Sequence, residues 1–318
     1  MRIEVESIPC DLCGCSETKL RYQIPDLRFW TTEQEYSIVS CSHCKHWYLN
    51  PRPLEEEINR CYPSHYYQGR EQTVEKQRIR YEKQASYFKH KTPGKFLDIG
   101  CARGDYLGTM FRLGWECYGM DFVDRCSEDM KQKIDFRKGP LGTISYPDHY
   151  FDGISAWGVF EHLLSPRTYF CEVERILKPQ GTFVMMVPNA NSLWGRFAYK
   201  EDIPRHLHFF STADIQKYAN FSGLTVQEIE FTNQIYSEPA TGRDGFRLRL
   251  LKAAGVPWKN INLPPKSLHL KILSKFGNLL GKVLIHPSLE ERLGISGIMV
   301  VHFSKLNREN GSEKQGKL

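Results

Sequence analysis

The chain has 318 residues, with 43 Lys or Arg against 37 Asp or Glu and a formal net charge of +6. The length predicts a catalytic domain plus a small additional domain, and the mild basic excess suits an acidic small substrate, RNA or an anionic membrane equally. No run approaches the ~18 apolar residues of a membrane-spanning helix, and the N-terminus has no apolar signal core. These two features argue against a membrane-spanning or secreted protein and predict a cytoplasmic one.

The first element in chain order is a pair of cysteine motifs, CDLC and CSHC. Thiols in a reducing compartment rarely form disulfides, and two C-x2-C pairs can direct four thiolates to one tetrahedral metal ion. We therefore predict a structural Zn²⁺ site, and a zinc ribbon over residues 1–70 that this metal stabilises independently of the remaining chain. The predicted ligands are Cys10, Cys13, Cys41 and Cys44.

Other side chains near these pairs leave alternatives open. Cys15, His43 and His46 are second choices as ligands because they break the symmetric pair spacing. Redox-active or incidental thiols are the competing interpretation of the pairs. Tyr62 and Tyr66 can either pack within the ribbon or stack on a substrate.

Residues 71–92 are rich in charge and in good helix formers, so we predict a connecting helix. From residue 93 to residue 306 strand and helix signals alternate, which is typical of a doubly wound Rossmann-like α/β sheet. Predicted strands are KFLDIG, WECYGMD, KIDFRK, FDGISAW and GTFVMMVP. Helices are predicted to begin at Ser165-Pro166 and at Ser211, three residues before Asp214.

The first strand of this sheet runs into a glycine-bearing turn, Asp98-Ile-Gly100-Cys-Ala-Arg-Gly104. Its spacing departs from the G-x-G-x-x-G pattern that binds a pyrophosphate, and Asp105 would repel one. Asp121 ends the next strand, where a carboxylate can accept both hydroxyls of a ribose. The pattern favours a nucleoside ligand without a phosphate bridge.

With these motifs in order, residues from about Lys95 to Asn189 resemble class I S-adenosylmethionine-dependent methyltransferases. LDIGCARG is similar to their glycine-rich motif, GMD to their ribose-binding end, and FDGISAWGVFEHL and LKPQGTFVMMVPN to later signatures. The resemblance implies S-adenosylmethionine as cofactor. It implies a methionine-binding role for Asp98, Gly100 and Gly104, a ribose-binding role for Asp121, an adenine-facing role for Gly139 and Leu141, and further cofactor contacts for Cys101, Phe122 and Trp157. Ala102 stands where a glycine is common.

Two further segments resemble one group within that family. CSHCKHWYLNPRPLEEEINRCYPSHYY is similar to the zinc-binding segment fused to methyltransferases of bacterial surface-glycan and unusual-sugar gene clusters, and IPRHLHFFS to a P-x-H-L-x-x-F-S element there. The resemblance implies a small-molecule, nucleotide-sugar or glycan acceptor. Two alternatives remain. One is a zinc-ribbon methyltransferase that acts on ribosomal RNA, although the sequence has no arginine-rich run that would support RNA binding. The other is a non-catalytic cofactor-binding protein.

A hydroxyl or carbon acceptor needs a base. We predict it among Glu161 and His162, just past the fourth strand, and His206 and His208, before the Ser211 helix, with His206 and His162 as first candidates. Each histidine can equally have a structural role. Some quinone O-methyltransferases bind a divalent metal here through E-x-x-E-H, but this chain has Gly158 at the first carboxylate, which argues against such a metal.

The last elements are an insertion and a tail. Residues 236–295 are predicted to form a helical insertion, with a basic amphipathic helix over 265–286 whose apolar stripe is Leu268, Ile272, Phe276, Leu279 and Val283. This helix can be a lid over the acceptor, a homodimer contact or a peripheral membrane contact. Residues 307–318 are predicted to be disordered.

Overall fold

The computed structural model describes residues 2–64, 66, 73–192, 202–232, 247, 250–257, 260, 267–284 and 291–305. The strands are β1 (Val5–Glu6), β2 (Thr18–Pro25), β3 (Glu35–Cys41), β4 (Trp47–Leu49), β5 (Arg52–Pro53), β6 (Lys95–Ile99), β7 (Glu116–Asp121), β8 (Asp135–Lys138), β9 (Phe151–Trp157), β10 (Leu177–Pro188), β11 (His208–Phe209), β12 (Leu224–Thr232) and β13 (Ile298–Lys305). The helices are α1 (Glu55–Ile58), α2 (Val74–Ser86), α3 (Asp105–Arg112), α4 (Glu128–Lys131), α5 (Pro166–Ile176), α6 (Thr212–Ser222) and α7 (Leu268–Leu284).

The larger sheet has seven strands in the order β12-β13-β10-β9-β6-β7-β8. The five strands from β10 to β8 are parallel, and β13 runs antiparallel to both β10 and β12. Buried apolar runs in β6, β9 and β10 explain their central positions, because helices cover both faces of a parallel sheet. The predicted Rossmann-like sheet is confirmed, and the carboxyl ends of β6, β7, β8 and β9 meet at one edge.

The predicted helix starts are confirmed, and one of them has an unexpected cap. Ser211 and Asp214 form a reciprocal capping box at the start of α6. Pro166 is the first residue of α5, but the backbone N–H of Arg167 donates to the carboxylate of Asp11 at 2.9 Å. An aspartate in the first cysteine motif therefore caps a helix of the sheet domain.

The N-terminal segment shares a sheet with a much later part of the chain. Its four strands lie in the order β11-β4-β3-β2, so β11 completes the sheet. Leu49 N donates to Leu207 O at 2.9 Å beside this pairing. The hydrophobic core that contains Cys10 and Tyr48 also contains Phe183 of β10. The ribbon and the sheet domain are thus packed around a continuous core.

Helix α7 exposes much of the predicted apolar stripe. Leu268, Ile272, Phe276 and Leu279 are 74, 60, 51 and 58% exposed. Leu270 instead packs with Leu27, Leu251 and Val256. The rest of the predicted insertion (236–246, 248–249, 258–259, 261–266 and 285–290), the side chain of Val283 and the predicted disordered tail lie outside the described residues. Within the described part of the chain, no helix is both long and apolar enough to cross a membrane.

Candidate active site and metal centre

The glycine turn after β6 needs two residues without side chains. Gly100 and Gly104 have φ of +73° and +81°, the left-handed region that favours glycine. A Cβ on Gly100 would lie 2.5 Å from Cγ2 of Val159, so the loop after β9 closes directly over the turn. The backbone N–H groups of Gly100 and Cys101 both donate to the carbonyl oxygen of Met120, at 2.8 and 3.0 Å, which fixes the turn onto β7.

Asp121 organises the same turn from the end of β7. Its Oδ2 accepts from Ala102 N at 2.9 Å, and its Oδ1 accepts from Val123 N at 3.0 Å. Ala102 has φ of +50°, so the turn keeps a left-handed residue where glycine is common in the family. Because each carboxylate oxygen can accept a second hydrogen bond, Asp121 has the capacity to bind ribose hydroxyls as well.

Asp98 is a buried carboxyl group beside Asp121. It is 4% exposed, and its Oδ1 accepts from Ser155 Oγ at 2.6 Å. Burial, and secondarily the charge of Asp121, raise the pKa of Asp98 to about 7. A cationic ligand would offset both effects, so these two carboxylates favour a ligand that carries positive charge.

The other residues assigned to the cofactor lie along the same edge. Gly139 N donates to Asp121 O at 3.0 Å, and Leu141 N donates to Tyr169 Oη at 3.2 Å. Phe122 is 49% exposed, which leaves an aromatic face available beside Asp121. Trp157, half-buried at the end of β9, has its ring 5.8 Å from that of Tyr106. Cys101 has a buried side chain, so it contributes to the turn through its backbone.

The structure brings Glu161, His162 and His206 together. One ligand atom from each lies within 4.8 Å of the others, and the two imidazole centroids are 4.6 Å apart. Leu207 N donates to Glu161 O at 2.7 Å, which joins the two loops that carry them. Since Glu161 and His162 follow Val159 closely in sequence, the cluster lies next to the glycine turn. It is chemically able to accept a proton or to hold a divalent cation.

A buried ion network supports this cluster, and the sequence analysis missed it. Asp202 Oδ2 lies 3.2 Å from His206 Nε2, and Asp202 Oδ1 accepts from Arg205 Nε at 2.7 Å. Arg205, completely buried, also binds both carboxylate oxygens of Asp26. The available signal was an aspartate four residues before His206, immediately ahead of the segment IPRHLHFFS, but nothing in the sequence indicated Asp26.

His208 does not join the cluster. It is 1% exposed, and its Nδ1 lies 3.0 Å from Nε2 of His46. Burial, followed by the charge of His46, lowers the pKa of His208 well below its usual range. His46 in turn lies 3.5 Å from Asp214, and both histidines are buried in the core. This position favours a structural role for His208 over that of a base.

The four predicted cysteine ligands form a second, separate cluster. Their Sγ atoms all lie within 4.8 Å of one another, and the Cys10–Cys44 and Cys13–Cys41 pairs are each 3.5 Å apart. A tetrahedral Zn–S4 site with bonds of about 2.3 Å has S···S edges of roughly 3.8 Å, so the donor set fits zinc.

Both cysteine motifs close with the same turn. Gly14 N donates to Cys10 O at 2.7 Å and Lys45 N donates to Cys41 O at 3.2 Å, with φ of +75° and +68° for the two donors. Burial acts against ionisation of Cys41, but the backbone N–H groups of Cys44 and His43 prevail and lower its pKa to about 7. Outside this cluster, Cys15 Sγ contacts Glu17 O.

Comparison with known proteins finds a family described as a methyltransferase domain, which matches residues 70–229. A probable S-adenosylmethionine-dependent methyltransferase of Mycolicibacterium smegmatis is 23% identical over 146 residues, covering 44% of this chain and 55% of that protein. A ubiquinone biosynthesis O-methyltransferase of Maricaulis maris is 28% identical over 106 residues, covering 31% and 42%. The chain therefore spans about half the length of these curated relatives. Among solved structures, an S-adenosylmethionine-dependent methyltransferase from Archaeoglobus fulgidus is 19% identical, covering 72% and 94%, with a TM-score of 0.46.

Proposed function

Because the chain belongs to the methyltransferase-domain family, we propose that it transfers the methyl group of S-adenosylmethionine to a small-molecule acceptor. The observation that carries this proposal is the pair of carboxylates at the sheet edge, Asp98 and Asp121, one buried and one holding the glycine turn. S-adenosylmethionine combines a ribose with a sulfonium and an ammonium group, so it supplies both the hydroxyls and the positive charge that this edge favours.

The cofactor supplies an already activated methyl group. The protein's task is to align the acceptor for in-line displacement and to exclude water. Asp121 would bind the ribose and Asp98 the methionine end, with Gly100 and Gly104 allowing close backbone approach. His206, next to Glu161 and His162, would take the proton that the acceptor loses.

A nucleotide sugar or glycan is the acceptor that we propose within this class. The resemblance of the cysteine-containing segment and of IPRHLHFFS to enzymes of sugar and glycan gene clusters supports it. The name of the Maricaulis maris relative, which refers to ubiquinone biosynthesis, supports a small-molecule acceptor more generally.

We further propose that the four-cysteine cluster holds a structural Zn²⁺ and that the enzyme works in the cytoplasm. The near-tetrahedral spacing of the thiols supports the first proposal. All ten cysteines are free thiols, which is typical of a reducing compartment and supports the second.

The test is incubation with methyl-labelled S-adenosylmethionine and a cell extract separated into small-molecule, lipid and RNA fractions. Label in the small-molecule or lipid fraction is expected, and it should be lost with the Asp121→Ala protein. Label in RNA would mean that the acceptor is RNA and not a small molecule, while methyl transfer from S-adenosylmethionine would still stand. Cofactor binding without transfer to any fraction would mean a binding protein.

A further inference from the structure

We propose that Asp202 is a positioning residue that holds His206 as the base of methyl transfer, in a carboxylate–imidazole dyad. This inference rests on the proposed function for its purpose. The geometry behind it is independent of the acceptor.

The contact with Asp202 favours one form of the imidazole ring. His206 Nε2 lies 3.2 Å from Asp202 Oδ2, and an ionised carboxylate can only accept. Nε2 must therefore carry the proton. In the neutral ring Nδ1 then carries the lone pair, so it is the atom that can take a proton from an acceptor.

The surroundings keep Asp202 ionised. Its carboxylate accepts from Arg205 Nε at 2.7 Å, Tyr66 Oη at 3.2 Å and Arg28 Nη1 at 3.4 Å. Although burial acts in the opposite direction, the charges of His206, Arg205 and other nearby cations hold the pKa of Asp202 well below its usual range. Asp26, on the far side of Arg205, balances the charge of that guanidinium.

Other charged and titratable groups also lie close to His206. His162 and Glu161 belong to the same cluster, and His162 Nδ1 lies 3.0 Å from Arg205 O, a carbonyl to which it can donate. Tyr62 Oη lies 3.1 Å from the same Nδ1. Among these groups, Asp202 is the carboxylate at hydrogen-bond distance from Nε2 of His206.

This arrangement has two consequences for a base. The carboxylate fixes the ring in the form whose lone pair is on Nδ1, and it stabilises the imidazolium that forms when the acceptor's proton moves to Nδ1. The N-terminal segment takes part, because Arg28 and Tyr66 hold Asp202 from residues far away in sequence. The segment thereby contributes to the reaction through the residues that hold Asp202 in place.

The test reads the ring directly by nitrogen NMR of protein labelled with ¹⁵N-histidine, with the His206 signals assigned by their loss in His206→Gln. The whole chain is used, with no acceptor needed. In the unsubstituted protein the neutral ring should be protonated at Nε2. In Asp202→Asn the titration midpoint of His206 should fall by about 1 to 2 pH units, because an opposite charge at hydrogen-bond distance is removed.

Asp26→Asn is the matched control. It removes a carboxylate from the same buried arginine without touching His206, so it tests loss of network stability alone. Its His206 midpoint should move less than that of Asp202→Asn, because Asp26 reaches His206 only through Arg205. An equal shift in both variants, or no shift in Asp202→Asn, would overturn the dyad, and so would an Nδ1-protonated ring in the unsubstituted protein, which needs no variant to fold.

Methyl transfer to the accepting fraction is the second readout. Asp202→Asn should transfer at least about 10²-fold more slowly, and the acid limb of its rate–pH profile should move to lower pH. Transfer by the unsubstituted protein that stops with a chelator and returns with Mg²⁺ would instead assign the cluster to a metal ion and overturn His206 as the base. If no fraction accepts a methyl group, the proposed function fails while the NMR result still decides the dyad.

Discussion

At the scale of single residues, Asp121 holds the glycine turn and is also the proposed ligand of the ribose. Asp121→Ala removes the proposed ribose contact and also the acceptor for Ala102 N. We expect cofactor binding to weaken by about 2 to 3 kcal/mol, the size of a charge-assisted bidentate contact. Calorimetric titration with S-adenosylhomocysteine measures this. Asp124→Ala removes a nearby carboxylate that pairs with Lys131 and should leave the affinity unchanged; unchanged affinity in Asp121→Ala would refute the assignment.

Binding of the cofactor should release protons from the carboxyl group of Asp98. Its folded-state pKa of about 7 lies above the ordinary carboxyl value, so it stabilises the ligand-free protein at low pH and this contribution is lost as pH rises through 7. A cationic cofactor favours the ionised form, so binding at pH 7 should release about half a proton from Asp98. Calorimetry in two buffers of different ionisation enthalpy measures it, and Asp98→Asn corrects for protons exchanged by the ligand. Equal release in both proteins would contradict the prediction.

At the scale of elements, α7 carries an exposed apolar stripe next to lysines. Lys271 and Lys275 are exposed, and residues 267–284 include no Asp or Glu. We propose that this helix lies on an anionic membrane surface, which would bring the enzyme to lipid-linked acceptors. Lys271→Glu/Lys275→Glu should lower binding to vesicles containing phosphatidylglycerol by about tenfold or more.

The control for α7 makes the same charge change elsewhere. Lys19→Glu/Lys89→Glu alters two exposed lysines outside the helix and should bind these vesicles as well as the original chain. If the original chain binds vesicles containing phosphatidylglycerol no better than neutral vesicles, this result would argue against an anionic membrane surface as the partner of α7. Sedimentation that shows a dimer disrupted by Phe276→Ser would then favour the homodimer contact.

At the scale of the whole molecule, the shared core changes what loss of zinc should do. The sequence predicts a ribbon that unfolds alone, but β11 completes its sheet and Asp11 caps α5. We therefore expect Cys41→Ser to lower the melting temperature of the entire chain in one cooperative transition. Differential scanning calorimetry tests this, with Cys171→Ser, an exposed thiol outside the cluster, as the control. Two separate transitions would restore the independent ribbon.

The sequence by itself determined the local features of this protein. The C-x2-C spacing of each cysteine pair, the glycine turn after β6, the position of Asp121 at the end of a strand and the Ser211–Asp214 capping box are each recognised within a few residues of sequence. The spacing of these residues in the sequence is therefore enough to indicate their chemistry. The sequence also predicts the apolar stripe of α7, because helical periodicity places those residues on one face. The same periodicity does not determine what covers that face.

Only the tertiary structure decided how distant segments meet. Arg205 pairs with Asp26, 179 positions away, and His208 is buried against His46, 162 positions away. A chain carries no local mark of such partners, because burial makes a charged side chain depend on whatever the fold brings to it. That is why the sequence could include His208 among the candidate bases behind His206 and His162, whereas the fold places His206 beside Glu161 and His208 in the core.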